Sequence, residues 1–513
     1  KASKFFDIVT YTGNDSSRTI SHNLGAVPGM ILIKDVTQAG NDWIVYHRSL
    51  ANTKFLNLNQ SYAASTDAAA FNSTTATSTE FSLGNKAQVN TNGNSYVAYL
   101  FGHDTSSDGM IQCGSYTGNG SSQEINLGFE AQWVLLKRSD GSDGTFDFWH
   151  LTDIMRGMPA LDSTSAAPVL IPNASDTEST GYSNIRPTAN GFAFSQGNSG
   201  ENINGHTYIY MAIRRGPMAT PTAASSVFAI DGAQSTSSNP AFISNTLVDF
   251  LLARSPSSTS SWAASARLTG TSQLFPNNTS QEGTSSGTTW DFNTGAWDGF
   301  SASPAYQGWM WSRAPGYFDV VAYTGNYTAR TINHNLGVVP EMMWVKNRDN
   351  GTRYWMVYHS ATGNDRYTLL STTDAQSSGG ETLWDSTTPT SSVFSIGNQN
   401  ATNQNTQRYI AYLFATLAGV SKVGSVTHSG TTNVDCGFTS GSSFVLLKRT
   451  DASGGWYVWD SHRGIVAGND PYLYLNDNAA EVTNTDFIDP LSSGFTITDD
   501  FTDGDYIFYA IAT

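Results

Sequence analysis

The sequence predicts an all-β protein, a tandem array of five antiparallel β-sandwich repeats of about 100 residues each. Three observations carry that prediction. Apolar runs of four to eight residues, rich in Val, Ile, Tyr, Phe, Trp and Thr, alternate with clusters of Gly, Asn, Asp and Ser, which is the pattern of strands and turns. No window sustains a helical period. The stretch YTGNDSSRTISHNLGAVPGMILIK, residues 11–34, returns as YTGNYTARTINHNLGVVPEMMWVK, residues 323–346.

The repeats follow in order. Repeat A, residues 1–105, runs from FFDIVTYTGN through HNLGAVP, WIVYH and FSLGN to YVAYLFG. Repeat B, residues 106–218, carries IQCGSYTGNG, WVLLKRSDG, NGFAFS and YIYMAIRR. Repeat C, residues 219–316, is divergent, with DFLLARSPSSTSSW, LFPNN, DGFSAS and GWMWSRA. Repeat D, residues 317–418, matches A through HNLGVVP, WMVYH, FSIGN and YIAYLFA, and repeat E, residues 419–513, matches B through FVLLKRTDASGGW, SGFTIT and YIFYAIAT. Trp43 and Trp355 are expected at equivalent places. YTGNDSSRT reads as a hairpin in which Gly13 and Asn14 supply positive φ, Gly25 frees the turn after HNL, and Pro28 fixes the entry to the buried strand MILIK.

A 513-residue chain exceeds a single core and needs several domains. The charged share of 13% is low, and the polar share is largely Ser, Thr, Asn and Gly. A formal charge of -16 repels nucleic acid and anionic membranes, so no nucleic-acid role is expected. No apolar run reaches the roughly 20 residues of a membrane span, so no membrane insertion is expected. The first residue is Lys1 rather than Met, which points to a removed leader or upstream domain, or to a piece of a longer polypeptide. Cys113 and Cys436 fall at non-equivalent places, so no disulfide framework is expected; Cys113 reads as a small buried hydrophobe and the pair as thiols of a reducing cytoplasm.

His22 and His334 in HNLG, with His47 and His359 in VYH, supply two histidines per repeat, short of a metal site, and read as strand-end hydrogen-bonding groups. DIMRG and DSHRG place Asp153 with Arg156 and Asp460 with Arg463, a structural staple made by a local ion pair or by Arg bonds to turn carbonyls. A catalytic acid there lacks the second repeated carboxylate that glycoside hydrolysis uses. The hairpins KRTDASGGWYVW and KNRDNGTRYWMVYH look loosely like sialidase Asp-box turns, but the variable spacing and long period argue against a propeller. Asp499, Asp503 and Asp505 in TDDFTDGDY read as an acidic surface hairpin, with calcium binding the alternative. No nucleophile elbow, phosphate loop, zincin helix or dinucleotide fingerprint occurs, so no catalytic residue, metal or cofactor is assigned and a non-enzymatic protein is expected.

The elements YTGN...RTI.HNLG..P, WIVYH, LLKR, DIMRG and YIYMAIRR together resemble the tandem repeats of tail-fibre and related virion proteins of marine tailed bacteriophages, over repeats A, B, D and E. Repeat C departs from that pattern, lacking YTGN and HNLG. The resemblance implies a virion component, a fibre or appendage, assembled in the host cytoplasm and then extracellular, with attachment to a bacterial surface glycan or protein as its task. A homo-oligomer, a trimer foremost, in contact with other virion proteins is expected with it. Tyr182 and Trp297, in the segments where B and C differ most from E, are the candidate receptor contacts. A purely architectural virion protein and a fibre-borne glycan depolymerase are the alternatives.

Overall fold

The computed structural model describes residues 1–106, 108–141, 147–158, 167–194, 200–215, 219–233, 240–284, 290, 293–296 and 305–513, the side chains of 180–182 excepted. The chain forms two compact units, Lys1–Gly216 and Pro217–Thr513.

The first unit holds repeats A and B. The large sheet of A has the strand order Phe6–Thr12, Ser95–Phe101, Met30–Asp35, Ile44–His47, Lys54–Asn57, Ser65–Thr66, all antiparallel. A small sheet pairs Arg18–Ser21 with Glu80–Leu83. Ile20, Phe81 and Leu83 of the small sheet meet Ile31, Ile33, Tyr96, Ala98 and Leu100 of the large one in a buried core, which is the sandwich the alternating pattern calls for. YTGNDSSRT is therefore no hairpin: Phe6–Thr12 lies in one sheet and Arg18–Ser21 in the other, and the segment crosses between them. The positive φ falls on Asp15, at 56°, with Gly13 and Asn14 not in that region. Gly13 is needed for a different reason: a Cβ there would stand 2.1 Å from the Thr91 carbonyl oxygen. Gly25 does adopt φ 72°.

Repeat B has a large sheet ordered Trp149–Asp153, Ala131–Arg138, Thr207–Arg214, Ile111–Thr117, and a small sheet of Gln123–Asn126, Gly191–Phe194 and Ile185–Thr188. The outer faces of the A and B large sheets bury a second core, in which Met30, Val45 and Leu56 of A meet Cys113, Leu135, Trp149 and Met211 of B. Each large sheet thus has two apolar faces, and its central strands read as near-continuous hydrophobic runs such as MILIK and WVLLK.

In the second unit, repeat D repeats the strand order of A, from Phe318–Thr324 and Arg408–Phe414 through Met342–Asn347, Met356–His359 and Arg366–Leu369 to Ser377–Ser378. Repeat E has the three-stranded small sheet of B, made of Thr432–Asp435, Gly494–Ile497 and Ile488–Leu491. Divergent repeat C keeps the six-stranded large sheet and pairs Phe242–Ile243 with Gly295–Ala296.

A three-part contact joins neighbouring repeats. Trp149 Nε1 of B donates to the Asn57 carbonyl of A at 2.9 Å, Lys137 Nζ donates to the Ser61 carbonyl at 3.1 Å, and Ala64 N of A donates to the Ser139 carbonyl at 2.9 Å. In D and E the same triple is Trp456 to Leu369, Lys448 to Thr373, and Gln376 N to Thr450. Between D and C it is Trp355 to Phe275, Lys346 to Thr279, and Glu282 N to Arg348. Between C and E it is Trp262 to Tyr474, Arg254 to Asn478, and Glu481 N to Pro256. The indole, cation and amide partners keep one spacing throughout. In the second unit the contact runs E to D, D to C and C to E, so a head-to-tail interface closes into a ring of three repeats. Aromatic pairs between repeats, Phe228 with Phe444, Phe250 with Tyr412 and Phe414 with Tyr509, pack within that ring.

Lys448 is fully buried and donates to the carbonyls of Thr373, Asp374 and Gly454. Lys448→Met would leave the Asp374 and Gly454 carbonyls without this donor, and the second unit should lose about 1–3 kcal/mol in denaturant unfolding, while the first unit unfolds as before.

Candidate functional site

The groups that carry chemistry in this chain are mostly interior, and their partners define what they do. Asp153 caps the 3-10 turn Ile154–Arg156: its Oδ1 accepts from Arg156 N at 2.9 Å and its Oδ2 pairs with the Arg156 guanidinium at 2.9 Å. Asp460 does the same for Arg463, at 2.9 Å to the amide and 2.7 Å to Nε, and Arg463 Nη2 also donates to the Val458 carbonyl at 2.9 Å. Asp460 has a further partner in the second unit, because Trp309 Nε1 of repeat C donates to its Oδ2 at 3.1 Å and the Arg463 guanidinium lies over the Trp309 ring. The carboxylate therefore joins two repeats as well as closing a turn.

His22 and His334 bond locally: Nε2 lies 3.2 and 3.1 Å from the carbonyls of Thr77 and Thr390, and Nδ1 accepts from the amides of Leu24 and Leu336. His47 works across a repeat boundary. Its Nδ1 accepts from Ser49 N at 3.2 Å, which leaves Nε2–H to donate to the Tyr210 carbonyl of B at 3.0 Å. His359 holds the same register in D, its Nδ1 accepting from Ala361 N, and the Phe508 carbonyl faces its other nitrogen beyond hydrogen-bond geometry. Burial lowers both imidazoles to about 4, against which the facing carbonyls raise them. Among the described residues, no three His, Cys, Asp or Glu side chains converge as a metal-binding group.

In the acidic hairpin, Asp503 accepts from Gly430 N at 3.1 Å and Asp505 from the Thr427 hydroxyl at 2.7 Å. Cys113 and Cys436 are free and buried, and burial pushes both thiols up. Tyr182 lies in the strand Ser179–Ser183 with its side chain outside the described residues, and Trp297 lies outside them altogether.

One histidine–carboxylate pair is enclosed in repeat B. His150 Nδ1 lies 3.0 Å from Glu201 Oε1, both residues are at most 2% exposed, and Glu201 Oε2 also accepts from Asn184 N at 2.9 Å. The void beside the pair, lined by Leu136, Lys137, Phe148 and Tyr208, leaves no room for a water molecule. In repeat E, Asp470 is fully buried and accepts from Val466 N at 2.7 Å. Burial raises its carboxyl to about 7, helped by the nearby Asp486 and Asp489 carboxylates. Sequence reasoning did not single out either group, because neither repeats between copies.

Two pH effects follow, opposite in sign. His47 titrates lower in the folded chain than unfolded, so its contribution is complete above about 6.5 and is lost as pH falls toward 4; the thermal midpoint of the first unit should fall over that window, less so in His47→Gln. Asp470 titrates higher when folded, so its effect is to lower stability as pH rises from about 4 to 7. Asp470→Asn should therefore stabilise the second unit more at pH 8 than at pH 5, read by the difference in unfolding midpoint between the two proteins.

Comparison with known proteins adds a family. No curated protein sequence matches this chain. Residues 2–217 and 311–513 match a domain of unknown function, DUF7483, and the two matches cover the A–B and D–E pairs while leaving out most of repeat C. With the match extending over most of its length, the chain belongs to the DUF7483 family.

Proposed function

We propose that the chain is a structural component of a bacteriophage virion, a tail fibre or appendage that attaches the particle to the host cell surface. The observation that carries this reading is where the chain places its side chains. Buried His47, Lys137 and Lys448 are engaged in holding repeats together, while large aromatic side chains stand out on loops. Tyr327 is 53% exposed at the tip between Phe318–Thr324 and Arg330–Asn333, and Tyr354 is 45% exposed in the loop before Met356–His359. A tyrosine presents a rigid apolar face and a polar tip, which suits stacking on a sugar ring or contact with a surface protein. Tyr327 stands where repeat A has Asp15, an exchange visible in the alignment of the two repeats that the sequence reading did not single out.

The enclosed His150–Glu201 pair supports a non-enzymatic protein over a depolymerase, since acid–base work on a glycan needs a group the substrate can reach. The reading carries with it a homo-oligomer, a trimer foremost, because linked weak sites strengthen binding by about 100-fold or more without new contacts.

The test is adsorption. An antibody against the chain should label the particle's appendage and block its attachment to host cells. Tyr327→Ala with Tyr354→Ala should reduce binding of the purified chain to those cells by about 10-fold, on the scale of a hot-spot aromatic, with an unchanged melting midpoint. Binding should depend weakly on salt, because uncharged polar and aromatic contacts are little screened. Label absent from the particle, or full cell binding by the double variant, would overturn the reading.

A further inference from the structure

The ring of the second unit makes the first unit incomplete. Each of C, D and E donates one indole and one cation to a neighbour and receives the same from the other neighbour. In the first unit B donates to A through the same triple, and the A–B pair therefore occupies two of three positions.

The groups that would complete the ring are present, and among the described residues none of them bonds across a repeat boundary. In A they are Trp43, Lys34 and the Val36 carbonyl. Among the described residues the Trp43 indole makes no hydrogen bond, Lys34 Nζ keeps only the local bond to Asn41 O, the counterpart of Lys346 with Arg353, and Val36 is 62% exposed. In B the receiving carbonyl at the register of Asn57 is that of Ile171, which among the described residues holds only the turn bond from Ala174 N; Asn57, Phe275 and Tyr474 hold such a turn bond in addition to their indole. The apolar surface between these groups is only half covered. Tyr99 and Phe101 of A and Trp133 and Ile213 of B are partly exposed, where their counterparts Tyr412, Phe414, Phe444 and Ile511 are at most 1% exposed.

A second, independent feature says what sits there. Asp460 and Arg463 of E receive Trp309 of C, and C alone has a tryptophan at that register; A, B, D and E have Tyr99, Met211, Tyr412 and Tyr509. B carries the same acceptor in Asp153 and Arg156, with the arginine side chain 30% exposed against 6% for Arg463.

We infer that residues Lys1–Gly216 form an open seat for a sixth β-sandwich repeat of the C type, one that these 513 residues do not contain. A closing repeat must offer a free indole to Ile171 and a free carbonyl to Trp43 at once. A has its receiving loop filled by B, B has its indole engaged with A, and C, D and E have both engaged, so no repeat of a second copy meets that condition.

The probe is this chain with residues 217–312 duplicated directly ahead of Lys1. That junction repeats the natural one between C and D, because Lys1 pairs with Asp7 at 2.9 Å as Arg313 pairs with Asp319 at 2.6 Å. Hydroxyl-radical footprinting read by mass spectrometry should show oxidation of Trp43 and Trp133 falling by about 5-fold or more relative to the parent chain, as expected for full burial in a packed contact, and the first unit should melt higher. Arg156→Ala in the extended chain should reverse part of that protection, and in the parent chain should leave Trp43 oxidation unchanged. Oxidation of Trp43 and Trp133 equal to that of the parent, whether the added repeat folds apart or does not fold, overturns the inference. So does a parent chain whose Trp43 becomes protected as it self-associates, since that gives the seat to a second copy.

Discussion

The structure depends on one contact, an indole N–H and a buried cation of one repeat satisfying backbone carbonyls of the next. A β-sandwich in isolation has a wet outer face on each sheet. Here the outer face of the large sheet is apolar, and that surface is stable only when another large sheet covers it. The polar end of the contact fixes how the covering sheet is placed. Apolar packing alone is non-directional, whereas three hydrogen bonds at fixed spacing set register and angle together.

That requirement accounts for the placement of the ionisable groups. A lysine sunk between sheets is costly unless its ammonium is fully hydrogen-bonded. Burial lowers Lys346 to about 7, and the Thr279 and Arg353 carbonyls receive its N–H groups. In repeat C the same register holds Arg254, whose longer fork reaches the Asp477, Asn478 and Ala479 carbonyls and lies over Trp262. His47 and Asp460 occupy one strand-end register and solve one problem by different means, the imidazole donating to a neighbour's carbonyl and the carboxylate accepting a neighbour's indole. In the folded chain these residues are joints between repeats.

The family match has the same grain as the packing. It covers A with B and D with E, and C stands largely outside it. C nevertheless keeps the indole, the cation and the strand order of the large sheet while losing YTGN and HNLG. The lost motifs belong to the connection between the two sheets of a single sandwich, and the retained ones to the contact between sandwiches, so the parts that diverged are those with only local partners.

The sequence by itself determined the all-β class, the five-fold repetition and the kinship of A with D and B with E, because strand length, alternation and turn residues are set by near neighbours along the chain. It also showed Trp43 and Trp355 as equivalent and the Asp–Arg pairs as local. It misplaced YTGNDSSRT as a hairpin, since a turn motif reports a change of direction and says nothing of which sheet receives the next strand. Only the tertiary structure decided that the large sheets pack outward as well as inward, that the lysine of LLKR serves a neighbouring repeat, and that Asp460 accepts from Trp309, residues 151 positions apart. The lysine contact rests on backbone carbonyls, which every residue carries alike, and a carbonyl's partner leaves no mark on the side chain that sequence reading can see; the sheet packing and the Asp460–Trp309 bond join segments far apart in the chain, beyond the reach of local pattern.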